Sequence, residues 1–240
     1  IYTPLLANKI RNKFSVSQDI RKLNNLTYNE DIVDEIKFNN NKIITKNKKV
    51  YSYDFLILAH GASVNTFNIE GVNENCHIIK NDFDAKKIYK ELKKLKEGAK
   101  IAVIGCGLTG TEVIGNLIDY NKFNIYAIDG LNFPLNIFDK SISKYTLNFW
   151  RENNVNINLN NFVSKIDKNN IHFKNKKLNY DFAIWCGGIK ISPFSVYINK
   201  LLGLDNRFGI PVNKNLQVKN TTNVYAIGDC AYSQNPPTAQ

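Results

Sequence analysis

The chain has 240 residues, room for one large or two modest domains, and its apolar runs are too short for a membrane-spanning helix. Its formal charge of +11 comes from 28 Lys and only four Arg, scattered among abundant Asn and Ile. That pattern argues against nucleic acid, where bidentate Arg would dominate, and favours a solvated basic surface compatible with an anionic membrane face. Cys76, Cys106, Cys186 and Cys230 form no CxxC and the three His are equally dispersed, so no metal site is expected and a reducing compartment fits.

Residues 1–6, IYTPLL, open with no turn or cap before them. Between Asp31 and Leu58, the runs KIITK, KVYSY and DFLIL alternate with Asn/Lys turns and predict a small antiparallel meander, whose last strand runs into Ala59-His60-Gly61-Ala62. Asn81–Glu97 reads as an amphipathic helix with Ala85, Ile88, Tyr89, Leu92 and Leu95 on one face. After the central segment treated below, a helix is expected over Ser141–Asn153 with Ile142, Tyr145 and Phe149 inward. Strands follow at Val155–Leu159, Phe162–Ile166, Ile171–Phe173 and Asp181–Trp185, the last running into Cys186-Gly187-Gly188. Gly203–Val212 is loop-like, Asn223–Asp229 is one more strand ending in glycine and acid, and the chain stops at PPTAQ.

Residues 99–130, AKIAVIGCGLTGTEVIGNLIDYNKFNIYAIDG, organise the rest. The apolar run Ile101–Ile104 ends at Gly105-Cys-Gly107-Leu-Thr-Gly110; Val113, Ile114, Leu117 and Ile118 then repeat at helical spacing, and a second run, Ile125–Ile128, ends in Asp129. Strand, glycine turn, helix, strand and acid in register are the βαβ dinucleotide fingerprint. Gly105 permits the tight turn, Gly107 a close approach to a pyrophosphate, and Gly110 close packing of helix on strand, while the helix N-terminus offers free N–H donors. Asp129, 19 residues past Gly110, can bond both hydroxyls of an adenosine ribose and so favours NADH over NADPH; Lys122 upstream is the one nearby base that can soften the choice. Cys106 and Cys186 read as packing residues. Glu112 has two readings, a group at the reacting end of the dinucleotide or the second half of a Thr109-x-x-Glu112 capping box.

The chain also carries an internal echo. KNKKVYSYDFLILAHGA over 46–62 and KNKKLNYDFAIWCGGI over 174–189 end alike in basic turn, strand, Tyr-Asp, apolar strand and glycine, with Tyr53 and Tyr180 127 residues apart. Two unrelated strand ends of similar composition are the alternative. If it is a duplication, the partner of the glycine turn precedes residue 1. Together with the absence of Met, this predicts a piece of a longer protein lacking its first βαβ unit.

YTPLL at 2–6, YDFLILAHGA at 53–62, GCGLTGTE at 105–112, IWCGG at 184–188, NVYAIGDCA at 223–231 and PPTAQ at 236–240 together resemble the two-dinucleotide-domain flavoproteins, and specifically the type II NADH dehydrogenases. The resemblance implies an α/β fold of two Rossmann-like domains, with an NADH domain (79–191) inserted in a discontinuous FAD domain (1–78 and 192–240). It implies FAD contacts at Thr3, Pro4, Ala59, Gly61, Gly228 and Asp229, NADH held by Gly105, Gly107, Gly110, Asp129 and Gly188, Glu112 near the nicotinamide–flavin junction, and Ala239 and Gln240 facing flavin and quinone. It further implies hydride transfer from NADH to flavin and two electrons on to a membrane quinone. Peripheral attachment, through a C-terminal part beyond this sequence, is expected on the bacterial cytoplasmic membrane or the mitochondrial inner membrane, with a homodimer left open. His60 stands where that family usually has Thr. Other readings are a ferredoxin, rubredoxin or disulfide reductase of the same fold, or a non-catalytic NADH-binding sensor.

Overall fold

The computed structural model describes residues 25–233, which fall into two compact units, Val64–Gly188 and residues 25–63 with 189–233. Both are α/β.

The second unit begins with an antiparallel sheet of β1 (Val33–Lys37), β2 (Lys42–Thr45) and β3 (Val50–Ser52). The expected meander is corrected at one strand. DFLIL supplies β4 (Leu56–Leu58), which leaves that sheet to pair in parallel with Val224–Ala226. Leu56 and Leu58 are thereby buried with Val224 and Ala226, in a core that Ile36 of β1 also enters.

In the first unit, β5 (His77–Ile78), β6 (Lys100–Ile104), β7 (Asn124–Ile128), β8 (Asn156–Asn158) and β12 (Phe182–Trp185) form a parallel sheet in the order β5-β12-β6-β7-β8. A small antiparallel sheet, β9 (Lys165–Ile166), β10 (Asn170–His172) and β11 (Lys177–Asn179), lies between β8 and β12 in sequence. Strand alternation splits the parallel sheet into two faces. Ile101, Val103, Ile125, Ala127 and Ile184 pack with three helices, α1 (Asp82–Lys94), α2 (Leu108–Tyr120) and α3 (Lys140–Glu152). Ala102, Ile104, Ile128, Ala183 and Trp185 pack with Ile166, Ile171 and Tyr180 on the other side.

Local signals account for these elements. Asn81 caps α1 by accepting from the Asp84 N–H at 2.9 Å, and the Asp84 carboxylate accepts the Asn81 N–H at 3.1 Å, a reciprocal capping box. α3 forms where expected but turns a different face inward. Ser143, Thr146, Leu147 and Trp150 are buried, while Ile142, Tyr145 and Phe149 are exposed. Trp150 and Leu147 carry the larger continuous surface. The two hydroxyls beside them are satisfied locally, Ser143 Oγ donating to Pro134 O at 2.7 Å and Thr146 Oγ1 to Ile142 O at 2.9 Å. The expected strand over 162–166 is reduced to Lys165–Ile166, with Phe162 exposed.

The two echoing segments occupy equivalent places. Each ends the third strand of an antiparallel sheet (Val50–Ser52, Lys177–Asn179), passes Tyr-Asp, enters a parallel pairing (Leu56–Leu58, Phe182–Trp185) and closes on a left-handed glycine, Gly61 at φ 69° and Gly188 at φ 109°. Shared topology supports the duplication.

Candidate functional site

The site is built where β6, β7 and β12 end side by side. Gly105, at φ 98°, turns the chain out of β6, and its N–H donates to Ile128 O at 2.8 Å. A side chain there would strike the backbone of Cys186, and one at Gly110 would strike the carbonyl of Gly105, so these two glycines let the turn, α2 and the end of β12 close together. Gly107 differs: a Cβ there would meet nothing within 4 Å. It is also the N-cap of α2 and supplies no side-chain cap to the N–H groups of the first turn, the arrangement that can receive an anion.

This cap bears on one of the two readings of Glu112. Thr109 lies inside α2 rather than at its cap, so the capping box is not built, and Glu112 is exposed one turn along the helix.

Asp129 follows β7. Its Oδ2 accepts the Cys106 N–H at 2.6 Å and its Oδ1 the Leu131 N–H at 2.8 Å, so the carboxylate already ties the glycine turn to the neighbouring strand end. Each oxygen keeps a further lone pair for a ribose hydroxyl. Lys122 lies at the opposite end of β7, about 20 Å away along the chain, with its ammonium on the Leu95 carbonyl, so it cannot moderate Asp129.

A cleft of about 620 Å³ runs across these strand ends. Asp129, Gly130, Leu131 and Phe162 line it together with the glycine turn, as do Phe67, Ile69 and the run Trp185–Gly188. Among the described residues that line it there is no Lys or Arg. Trp185 donates from Nε1 to Asn65 O at 2.9 Å, and its ring fills the space a side chain on Gly187 would need. Gly188, at φ 109°, opens onto free space. Cys106 is buried, its thiol pushed up by that burial and further by the Asp129 charge. Burial pushes Cys186 up to about 12. Neither is a nucleophile at neutral pH.

Phe67, Leu131 and Phe162 escape the sequence reading because no motif marks them. Trp185 stands in the IWCGG run without a role assigned to it.

In the second unit, Ala59 and Gly61 follow β4 while Gly228 and Asp229 follow its parallel neighbour, so the four lie at adjacent strand ends. Gly61 (φ 69°) and Gly228 (φ 66°) both have open space where a Cβ would stand. Asp229 is half-buried in the turn Gly228–Cys230, and the Cys230 thiol donates to Leu58 O at 3.2 Å, joining the two ends. His60 is anchored beside them by a hydrogen bond between its Nε2 and Ser195 Oγ at 2.8 Å, and desolvation lowers its pKa. Thr3, Pro4, Ala239 and Gln240 lie outside the described residues.

With these two glycine-lined strand-end sites in place, residues 2–240 match the family described as pyridine nucleotide-disulphide oxidoreductase. The chain belongs to that family. Within it, the external alternative NAD(P)H-ubiquinone oxidoreductase B2 of Arabidopsis mitochondria is 30% identical over 218 residues, 77% of this chain and 38% of the relative. A probable NADH dehydrogenase of Dictyostelium discoideum is 26% identical over 100% of this chain and 62% of its own length. Among solved structures of the family, NDH2 of Plasmodium falciparum in complex with NADH superposes with a TM-score of 0.82 at 29% identity, covering 97% of this chain and 57% of that one. The chain thus spans less than two thirds of the length of each of these relatives.

Proposed function

We propose that this chain is the main part of a type II NADH:quinone oxidoreductase, with Val64–Gly188 as its NADH unit and the remainder forming part of its FAD unit. The observation that carries the reading is the cleft at the ends of β6, β7 and β12, with its uncapped helix N-terminus and Asp129 on the neighbouring strand. The names of the relatives, NAD(P)H-ubiquinone oxidoreductase and NADH dehydrogenase, support the direction of electron flow.

In this reading, Gly107 and the first N–H groups of α2 seat the pyrophosphate. Gly105 and Gly110 hold turn and helix close enough to present those groups, and Asp129 accepts from the adenosine ribose. Gly188 leaves room at the other end of the cleft. Gly61 and Gly228 fit a flavin nucleotide because their left-handed backbones leave open space at adjacent strand ends, and Asp229 is the carboxylate placed to hold a polyol. Ala59 is assigned to the same flavin site, and the resemblance alone assigns Thr3 and Pro4 to the flavin and Ala239 and Gln240 to the quinone side. FAD held in the flavin site would supply the hydride-accepting and electron-releasing chemistry. Glu112, exposed on α2, is assigned to the reacting end of NADH. No helix among the described residues is long and apolar enough to cross a membrane. Peripheral attachment to the mitochondrial inner membrane is assigned from the resemblance, the relatives being named as mitochondrial.

Acceptor choice tests the reading. The purified protein should oxidise NADH with a short-chain ubiquinone and not with ferredoxin or a small disulfide; turnover with either of the latter and none with quinone would reject it.

A further inference from the structure

Phe67 and Asn68 are consecutive residues in the left-handed region, at φ 50° and 55°. For a bulky residue such as Phe this is a strained backbone that persists only when its surroundings impose it, and such strain gathers at ligand clamps. Here the surroundings do impose it. Asn65 N–H donates to Gly188 O at 2.9 Å, and Asn65 O accepts from Trp185 Nε1 at 2.9 Å. Within the turn, Phe67 N–H donates to Asn65 Oδ1 at 3.0 Å and Ile69 N–H to Thr66 O at 3.0 Å, while Ile69 packs into the core beyond it. These bonds hold an apolar ring at the lip of the cleft with 60% of its surface exposed. The ring belongs to none of the buried clusters among the described residues, so core packing does not account for the strain.

The strand order says which part of a ligand it meets. β7 and β12 flank β6 on opposite sides. If Asp129, after β7, takes the adenosine ribose and the turn after β6 takes the pyrophosphate, the other nucleoside must run toward the end of β12, where Gly188 and Phe67 stand. We propose that Phe67 is a binding residue for the nicotinamide nucleoside half, its ring held by the strained turn as an apolar wall that selects and orients that half. This rests on the NADH reading above.

The test is isothermal calorimetry of the flavin-loaded protein with NAD⁺, which binds without turnover, and with ADP, which lacks the nicotinamide nucleoside. Phe67→Ala should weaken NAD⁺ about five- to tenfold and leave ADP unchanged, with Phe67→Leu between. An exposed ring should leave the unfolding midpoint unmoved, so loss of fold does not confuse the result. Unchanged NAD⁺ affinity in Phe67→Ala, or equal losses for NAD⁺ and ADP, would overturn the role of Phe67 while leaving the NADH site standing. A parent protein that binds neither ligand would overturn the NADH reading, and this inference with it.

Discussion

Replacing Asp129 with Ala should damage two properties at once. In the structure the carboxylate accepts two backbone N–H groups, from Cys106 at 2.6 Å and Leu131 at 2.8 Å. Hydrogen bonds to a charged group are worth about 1.5–3 kcal/mol each, and the half-buried position of Asp129 places both near the low end. Removing them leaves the Cys106 N–H unpaired in a turn whose Cys side chain is buried. A loss of about 2–4 kcal/mol in unfolding free energy is expected, readable by urea denaturation. Asp129→Asn keeps one acceptor and should lose about half of that. The second effect is on cofactor choice. A 2′-phosphate would meet this carboxylate in a cleft whose described lining holds no Lys or Arg, and Lys122 is committed at the far end of the strand. Like-charge repulsion and lost hydroxyl bonds together are about 2–4 kcal/mol, or roughly 30- to 1000-fold in kcat/KM for NADH over NADPH. Asp129→Asn should narrow that ratio. Equal kcat/KM for both cofactors in the parent, or an Asn variant with parental ratio and stability, would refute the reasoning.

The glycines separate by mechanism. Gly110→Ala places a methyl on the Gly105 carbonyl and should destabilise the fold by about 1–3 kcal/mol in the same denaturation assay, whereas Gly107→Ala should unfold like the parent but bind NAD⁺ more weakly. Asp229→Ala should lose flavin on dialysis, followed by the visible absorbance of the retained protein, because a charge-assisted bond of about 1.5–3 kcal/mol goes with it. Trp150→Ala, at a site 1% exposed, should cost about 3–5 kcal/mol. The Cys76 and Cys186 thiols, pushed up to about 12 by burial, should resist iodoacetamide in the native protein at pH 8 and react once it is unfolded, as mass spectrometry would show.

The central βαβ unit was legible because each of its signals has a local steric cause. Gly105 and Gly110 are required by backbone contacts that any such turn makes, and Asp129 falls at a fixed distance along the chain. The inward face of α3 was not legible. Ile142, Tyr145 and Phe149 satisfy helical spacing as well as Ser143, Thr146, Leu147 and Trp150 do, and hydropathy favours the first set. Only the internal bonds of Ser143 and Thr146 make the second set buriable. The parallel pairing of DFLIL with Val224–Ala226 joins segments too far apart for any local pattern to announce. The cleft wall was hidden for a similar reason. Phe67 carries no glycine or turn signature of its own left-handed backbone, which is set by bonds to Gly188 and Trp185 more than a hundred residues later.

The visible spectrum of the protein during anaerobic addition of NADH, and then of a ubiquinone analogue, tests the central claim most directly. The expected result is a yellow protein whose flavin absorbance bleaches with NADH and returns with quinone. A colourless protein, or a flavin that NADH leaves oxidised, would contradict it.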